Sequence, residues 1–78
     1  MNTVYGVQLE TIKNGSIGQS VYILQVLLTS LGYPCGQLDG EYGPKTKKGV
    51  LAFKKAKSMS ATDVVDMAVW SVIFNSRR

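Results

Sequence analysis

Asp39 and Glu41 stand two positions apart in the stretch YPCGQLDGEYG, residues 33–43, which also carries Tyr33, Cys35 and Tyr42. Two carboxylates roughly 5–9 Å apart can cleave a glycosidic bond, one as acid and the other as base or nucleophile. That chemistry needs one carboxyl desolvated, so that its pKa climbs into the working range. A turn rich in glycine, with Gly36, Gly40 and Gly43, supplies no apolar wall to do this. Ordinary solvated charges are the expectation. The chain has no histidine, whereas zinc hydrolase sites lean on His ligands and Ser or Cys nucleophiles on a His base. The expected protein is therefore not an enzyme, and it holds no metal and no cofactor. Its one cysteine cannot form an internal disulfide.

Binding remains, and charge suggests for what. Six of the nine basic residues lie between Lys45 and Lys57, a span without an acid. Such a run is either a solvated helix face or a surface drawn to a polyanion. Nucleic acid is one such partner, read by a helix in the major groove. Against it, the run lacks the arginine and asparagine best suited to base edges.

The elements that must position these residues can be read from spacing. A chain of 78 residues makes one domain, and its 45% hydrophobic and 18% charged residues are those of a globular protein. No apolar run approaches the roughly 20 residues that span a bilayer. The start MNTVYGVQLE lacks a basic segment followed by an apolar one, so no signal peptide is expected.

Ile17, Val21, Leu24, Leu28 and Leu31 recur at spacings of three and four, predicting a helix over about 17–31. Ser16 and Gln19 have the form of a capping box at its start, and Gly32 stops it. Pro44 suits a first helical position and opens a second helix over about 44–57. Thr46, Gly49, Val50, Phe53 and Ala56 fall on one arc of it, with Lys47, Lys48, Lys54 and Lys55 opposite. Gly49 is expected to admit a neighbouring helix. A third helix over about 66–75, capped by Asp63 or Asp66, presents Val69, Trp70, Ile73 and Phe74. The fold class is all-α: a compact three-helix bundle with a Gly-rich loop between its first two helices. Residues 1–11 read as an extended lead, 12–75 as the domain and 76–78 as a frayed end.

Taken together, these motifs resemble the type-1, three-helix peptidoglycan-binding domain family. Val21, Leu24, Gln25 and Leu28 match its first element, Leu31-Gly32-Tyr33 its second, and Asp39, Gly40, Tyr42 and Gly43 its turn. Thr46, Val50 and Phe53 follow at the same offsets, and Met59, Trp70 and Ile73 close the pattern. Lys54 departs from the family's usual glutamine, Gly49 from alanine, Thr62-Asp63 from the closing D-G, and Val69 from threonine.

The resemblance implies a non-catalytic module that attaches a wall hydrolase or phage lysin to peptidoglycan, through glycan strand or stem peptide. It implies a monomer working at the cell wall, outside the cytoplasm, with no membrane partner. Wall polymers carry stem-peptide carboxylates and teichoic phosphates, so they also answer the basic run. A small nucleic-acid-binding domain and a purely structural phage or prodomain module are the alternatives.

The candidate ligand-binding residues are Tyr33, Leu38, Asp39, Gly40, Glu41, Tyr42, Lys45 and Trp70. Turn chemistry alone accounts for Asp39, Gly40 and Gly43, and Gln25 is expected to serve loop backbone groups. Trp70 shares an apolar side with Ile73 and Phe74, which is core behaviour as well. Pro34-Cys35-Gly36 is similar to the cysteine-switch segment of matrix metalloproteinase propeptides. It lacks that motif's arginine and lies elsewhere in the helix order, so Cys35 reads as a loop residue.

Overall fold

The structure, a computed structural model, describes residues 3–4 and 7–76. Met1, Asn2, Tyr5 and Gly6 of the expected extended lead, and Arg77 and Arg78 of the expected frayed end, lie outside the described residues. Two antiparallel strands, β1 (Thr3–Val4) and β2 (Val7–Gln8), pair with Val4 opposite Val7. Three helices follow: α1 (Gln19–Ser30), α2 (Pro44–Ala56) and α3 (Met67–Asn75).

α1 begins two residues later than its apolar spacing predicts. Gly18 takes φ +137°, open to glycine and not to side-chain-bearing residues. Ile17 is diverted into an antiparallel bridge with Glu41 and is 79% exposed, so it is not part of the buried face. The expected capping box does not form either. Ser16 Oγ accepts from the Lys13 N–H at 3.0 Å, and α1 starts on Gly18 without a side-chain cap. The other end follows expectation. Gly32 N–H donates to Thr29 O and Tyr33 N–H to Leu28 O, the two bonds of a Schellman motif around a positive-φ glycine. α3 is capped by Asp66, whose Oδ1 accepts from Val69 N–H at 3.1 Å.

Val21, Leu24, Leu27 and Leu28 of α1 meet Val50 and Phe53 of α2 and Val69, Trp70 and Ile73 of α3. The segment before α1 joins this core. Leu9 and Ile12 are buried, and Ile12 exchanges both backbone bonds with Val65, at 3.0 and 2.8 Å. Ser76 donates from its N–H and its Oγ to Val72 O.

Two residues of α2 behave differently from their sequence reading. Gly49 admits a loop rather than a helix: a β-carbon there would lie 2.8 Å from both Pro34 O and Cys35 Sγ. Lys54 belongs to the interior, 3% exposed, not to the lysine surface. Its Nζ donates to Thr62 Oγ1 at 3.0 Å and to Val64 O. Burial pulls its pKa below the ordinary lysine value, against the opposing charges of Asp66 and Asp63. Two departures from the family pattern, at 54 and at 62–63, are thus partners. The long ammonium reaches the loop that Thr62 occupies.

Cys35 is buried, its Sγ 3.5 Å from Tyr33 O. Burial pushes its pKa from 9.0 up to about 11. The unfolded chain releases this proton first, so stability is intact below pH 9 and falls until the folded thiol ionises. A loss of about 1 kcal/mol between pH 9 and 10 follows from those two values. Urea denaturation at both pH values should show it in the native protein and not in Cys35→Ala. Other groups titrating in that window contribute equally to both proteins.

Candidate functional site

The loop between α1 and α2 is shaped by one side chain of α1. Gln25 is fully buried; its Oε1 accepts from Asp39 N–H at 3.1 Å and Gly40 N–H at 2.9 Å. Its Nε2 donates to Glu41 O and Thr46 Oγ1, both at 3.0 Å, and lies 3.2 Å from Asp39 Oδ1. The amide thus serves the turn and the first turn of α2 at once, as expected of a buried polar group. Asp39 Oδ1 also accepts from Glu41 N–H at 3.0 Å, closing the expected Asx-type turn. The Glu41 N–H first, and the Gln25 amide second, hold the Asp39 carboxyl below the usual carboxylate range.

A second strand of backbone braces the turn. Gly18 N–H donates to Gly40 O, Tyr42 N–H to Ser16 O and Gly15 N–H to Tyr42 O. Gly40, at φ +75°, sits so close to this segment that a β-carbon would lie 3.2 Å from Gly18 O. No other residue fits there without shifting the backbone.

Of the eight candidate ligand residues, the structure brings five to the surface around this turn. Leu38, Asp39, Glu41 and Lys45 are exposed, and Tyr33 is half-buried with its ring edge-on to Phe53 at 5.4 Å. The other three are inside. Gly40 is buried. Tyr42 is 2% exposed and donates its hydroxyl to Asp63 O; burial, with Asp63 second, pushes its phenol pKa well upward. Trp70 is 1% exposed, donates Nε1 to Glu10 O at 3.0 Å and stacks on Phe74. Neither ring can offer a face to a ligand. Sequence reasoning missed Ile17, which stands open beside Glu41; its regular spacing to Val21 hid it.

Two grooves flank Lys45. One of about 350 Å³ runs past Gln37, Asp39, Glu41 and Gly43. The other, about 380 Å³, lies between Tyr33, Pro34 and Gly36 on one bank and Lys48 and Ala52 on the other. Lys45 forms the ridge between them, its stem lying over Gly36, where a β-carbon would be 2.8 Å from Lys45 Cδ. Among the described residues no cluster of three or more His, Cys, Asp or Glu could hold a metal ion. Asp39 is held ionised, the reverse of the raised pKa a general acid needs.

The profile of the peptidoglycan binding domain family matches residues 17–73. The chain belongs to that family. Solved structures agree with the assignment of this peptidoglycan-binding domain. The N-terminal domain of SleB superposes with a TM-score of 0.85 over 91% of this chain and 97% of that one; at 20% identity it speaks for the fold alone. An L,D-transpeptidase from Xylanimonas cellulosilytica is 32% identical over 91% of this chain, with a TM-score of 0.83, and the match covers 35% of it. A peptidoglycan-binding protein from Clostridioides difficile is 34% identical over 82% of this chain, with a TM-score of 0.77, and the match covers 40% of it. The domain thus spans well under half of both longer proteins. Among the described residues no helix is long and apolar enough to cross a membrane.

Proposed function

We propose that this domain attaches to peptidoglycan as a monomer, performs no reaction itself, and holds a joined or associated wall enzyme at its substrate. The observation that carries this reading is the family match over 17–73, which contains the whole of the braced turn. The physical gain is concentration: a second, non-catalytic attachment turns each later encounter of the enzyme with the wall into an intramolecular one. The surface proposed for contact is the one around Leu38, Asp39, Glu41, Lys45 and Tyr33. A turn locked by Gln25 and by the 15–18 segment needs little further ordering when it meets a ligand, and that lowers the entropic cost of binding.

Co-sedimentation with purified sacculi tests the reading. The domain is expected to leave the supernatant at moderate salt, and to release no soluble fragments from the wall. Titration of the labelled domain with muropeptides should move the amide signals of 33, 38–41 and 45. Protein that stays in solution at moderate salt would sink the proposal. Excess duplex DNA is expected not to compete, whereas a nucleic-acid domain would bind it with a steep salt slope.

A further inference from the structure

We infer that the groove on the Tyr33 side of Lys45 takes the carboxylate-bearing end of a wall stem peptide, with Lys45 and Lys48 as its counter-charges. This rests on the peptidoglycan-binding reading and adds which part of the polymer is gripped and where. The groove holds about 380 Å³, near the lower end of the roughly 300–1,000 Å³ usual for ligand pockets, a size for a short peptide end. Its banks are apolar at Pro34 and Ala52 and at the ring of Tyr33, surfaces that suit alanyl methyl groups. Among the described residues its charged lining is Lys45 and Lys48.

Lys45 and Lys48 are both exposed and three residues apart on α2, so they share one face of the helix. Two like charges at that spacing repel, and an anion between them relieves the repulsion. No acid lies between Glu41 and Asp63 to do so from within that part of the chain. The neighbouring groove has the opposite character, since Asp39 and Glu41 line it. A carboxylate is therefore steered to the Lys48 side of the Lys45 ridge. Sugar rings are recognised mainly by stacking on open aromatic faces, and among the described residues Tyr33 alone lines this groove with an aromatic ring. Tyr33 is half-buried and edge-on to Phe53, while Tyr22, the exposed aromatic among the described residues, lies on α1 outside the groove.

The test is calorimetric titration with a muramyl tetrapeptide that ends in a free carboxylate and with its C-terminal amide. Lys48→Gln is expected to weaken binding of the acid about tenfold, the size of one lost charge-assisted hydrogen bond. Lys47→Gln, an equal change of charge on the same helix turned well away from the face that carries Lys45, Lys48 and Ala52, should alter it less than about twofold. The amide should bind wild type and Lys48→Gln alike, at the weakened level. Ala52→Leu, at an exposed helical position, fills the groove and should weaken both ligands; melting curves show that each variant is folded.

Equal losses from Lys48→Gln and Lys47→Gln, or an amide that binds wild type as well as the acid does, would overturn the assignment. Sacculus binding that survives with no change in Lys48→Gln toward the acid overturns it while leaving wall attachment standing. Wild-type protein that binds neither sacculi nor muropeptide overturns both.

Discussion

Gln25→Leu is expected to remove about 4 kcal/mol of stability, between a third and the whole of what a domain of this size possesses. At about 0.05–0.15 kcal/mol per residue, 78 residues give a total of roughly 4–12 kcal/mol. The substitution fills the same space, so the loss is not one of packing. It strands Asp39 N–H, Gly40 N–H, Glu41 O and Thr46 Oγ1, all now partnered by the amide. A buried polar group left unpaired costs about 1–3 kcal/mol, and the better exposed of these four recover part of that from water. Urea denaturation measures the loss directly. A midpoint within experimental error of wild type would show that the turn holds its shape unaided.

Gln25→Glu sharpens the test. It keeps the skeleton and the acceptor toward Asp39 and Gly40 N–H, yet turns the donor into a second acceptor beside Asp39 Oδ1, Glu41 O and Thr46 Oγ1. The introduced carboxyl is buried and faces a carboxylate, so its folded pKa lies above its unfolded one. Such a group favours the folded state when protonated. The gap in stability between wild type and Gln25→Glu should therefore narrow as pH falls toward about 4.3, the unfolded carboxyl's own value.

Trp70→Ala is expected to cost about 3–5 kcal/mol, the range for deleting a large buried aromatic. It empties the centre of the core and leaves Glu10 O without its donor. Trp70→Phe separates the two effects. It keeps much of the ring's volume and loses the Nε1 bond, at about 1–2 kcal/mol. Because the ring never reaches the surface, the folded Trp70→Phe protein should bind sacculi as wild type does. A marked loss of binding by a variant that still melts cooperatively would restore Trp70 as a ligand residue and contradict the burial described above.

The architecture was legible wherever one local rule decided the outcome. Pro44 starts α2, Asp66 caps α3 and Gly32 stops α1, each through chemistry within a few residues. It was not legible where a distant partner overrode the local rule. Ile17 continues the apolar spacing of α1 without a break, and the turn at Gly18 together with its bridge to Glu41 takes it out of the helix. Lys54 reads in the sequence as a solvent-facing charge, and the partners that hold it inside, Thr62 Oγ1 and Val64 O, lie 8 and 10 residues further on.

The site divides in the same way. Asp39, Gly40 and Gln25 declared their structural roles through turn chemistry and a buried amide. Tyr33 and Tyr42 are the same residue type on the same loop, and only contact at long range tells them apart. The hydroxyl of Tyr42 finds Asp63 O, 21 residues away, and the ring follows it inward. Tyr33 rests against Phe53 and stays half in water.

Because the amide of Gln25 dictates the path of residues 39–41 from the helix side, the outward side chains at 37, 38 and 41 take no part in keeping that path. The loop behaves as a holder with interchangeable bits. Randomising those three positions should yield folded variants with altered taste for wall chemotypes, and the same library built on Gln25→Leu should yield far fewer.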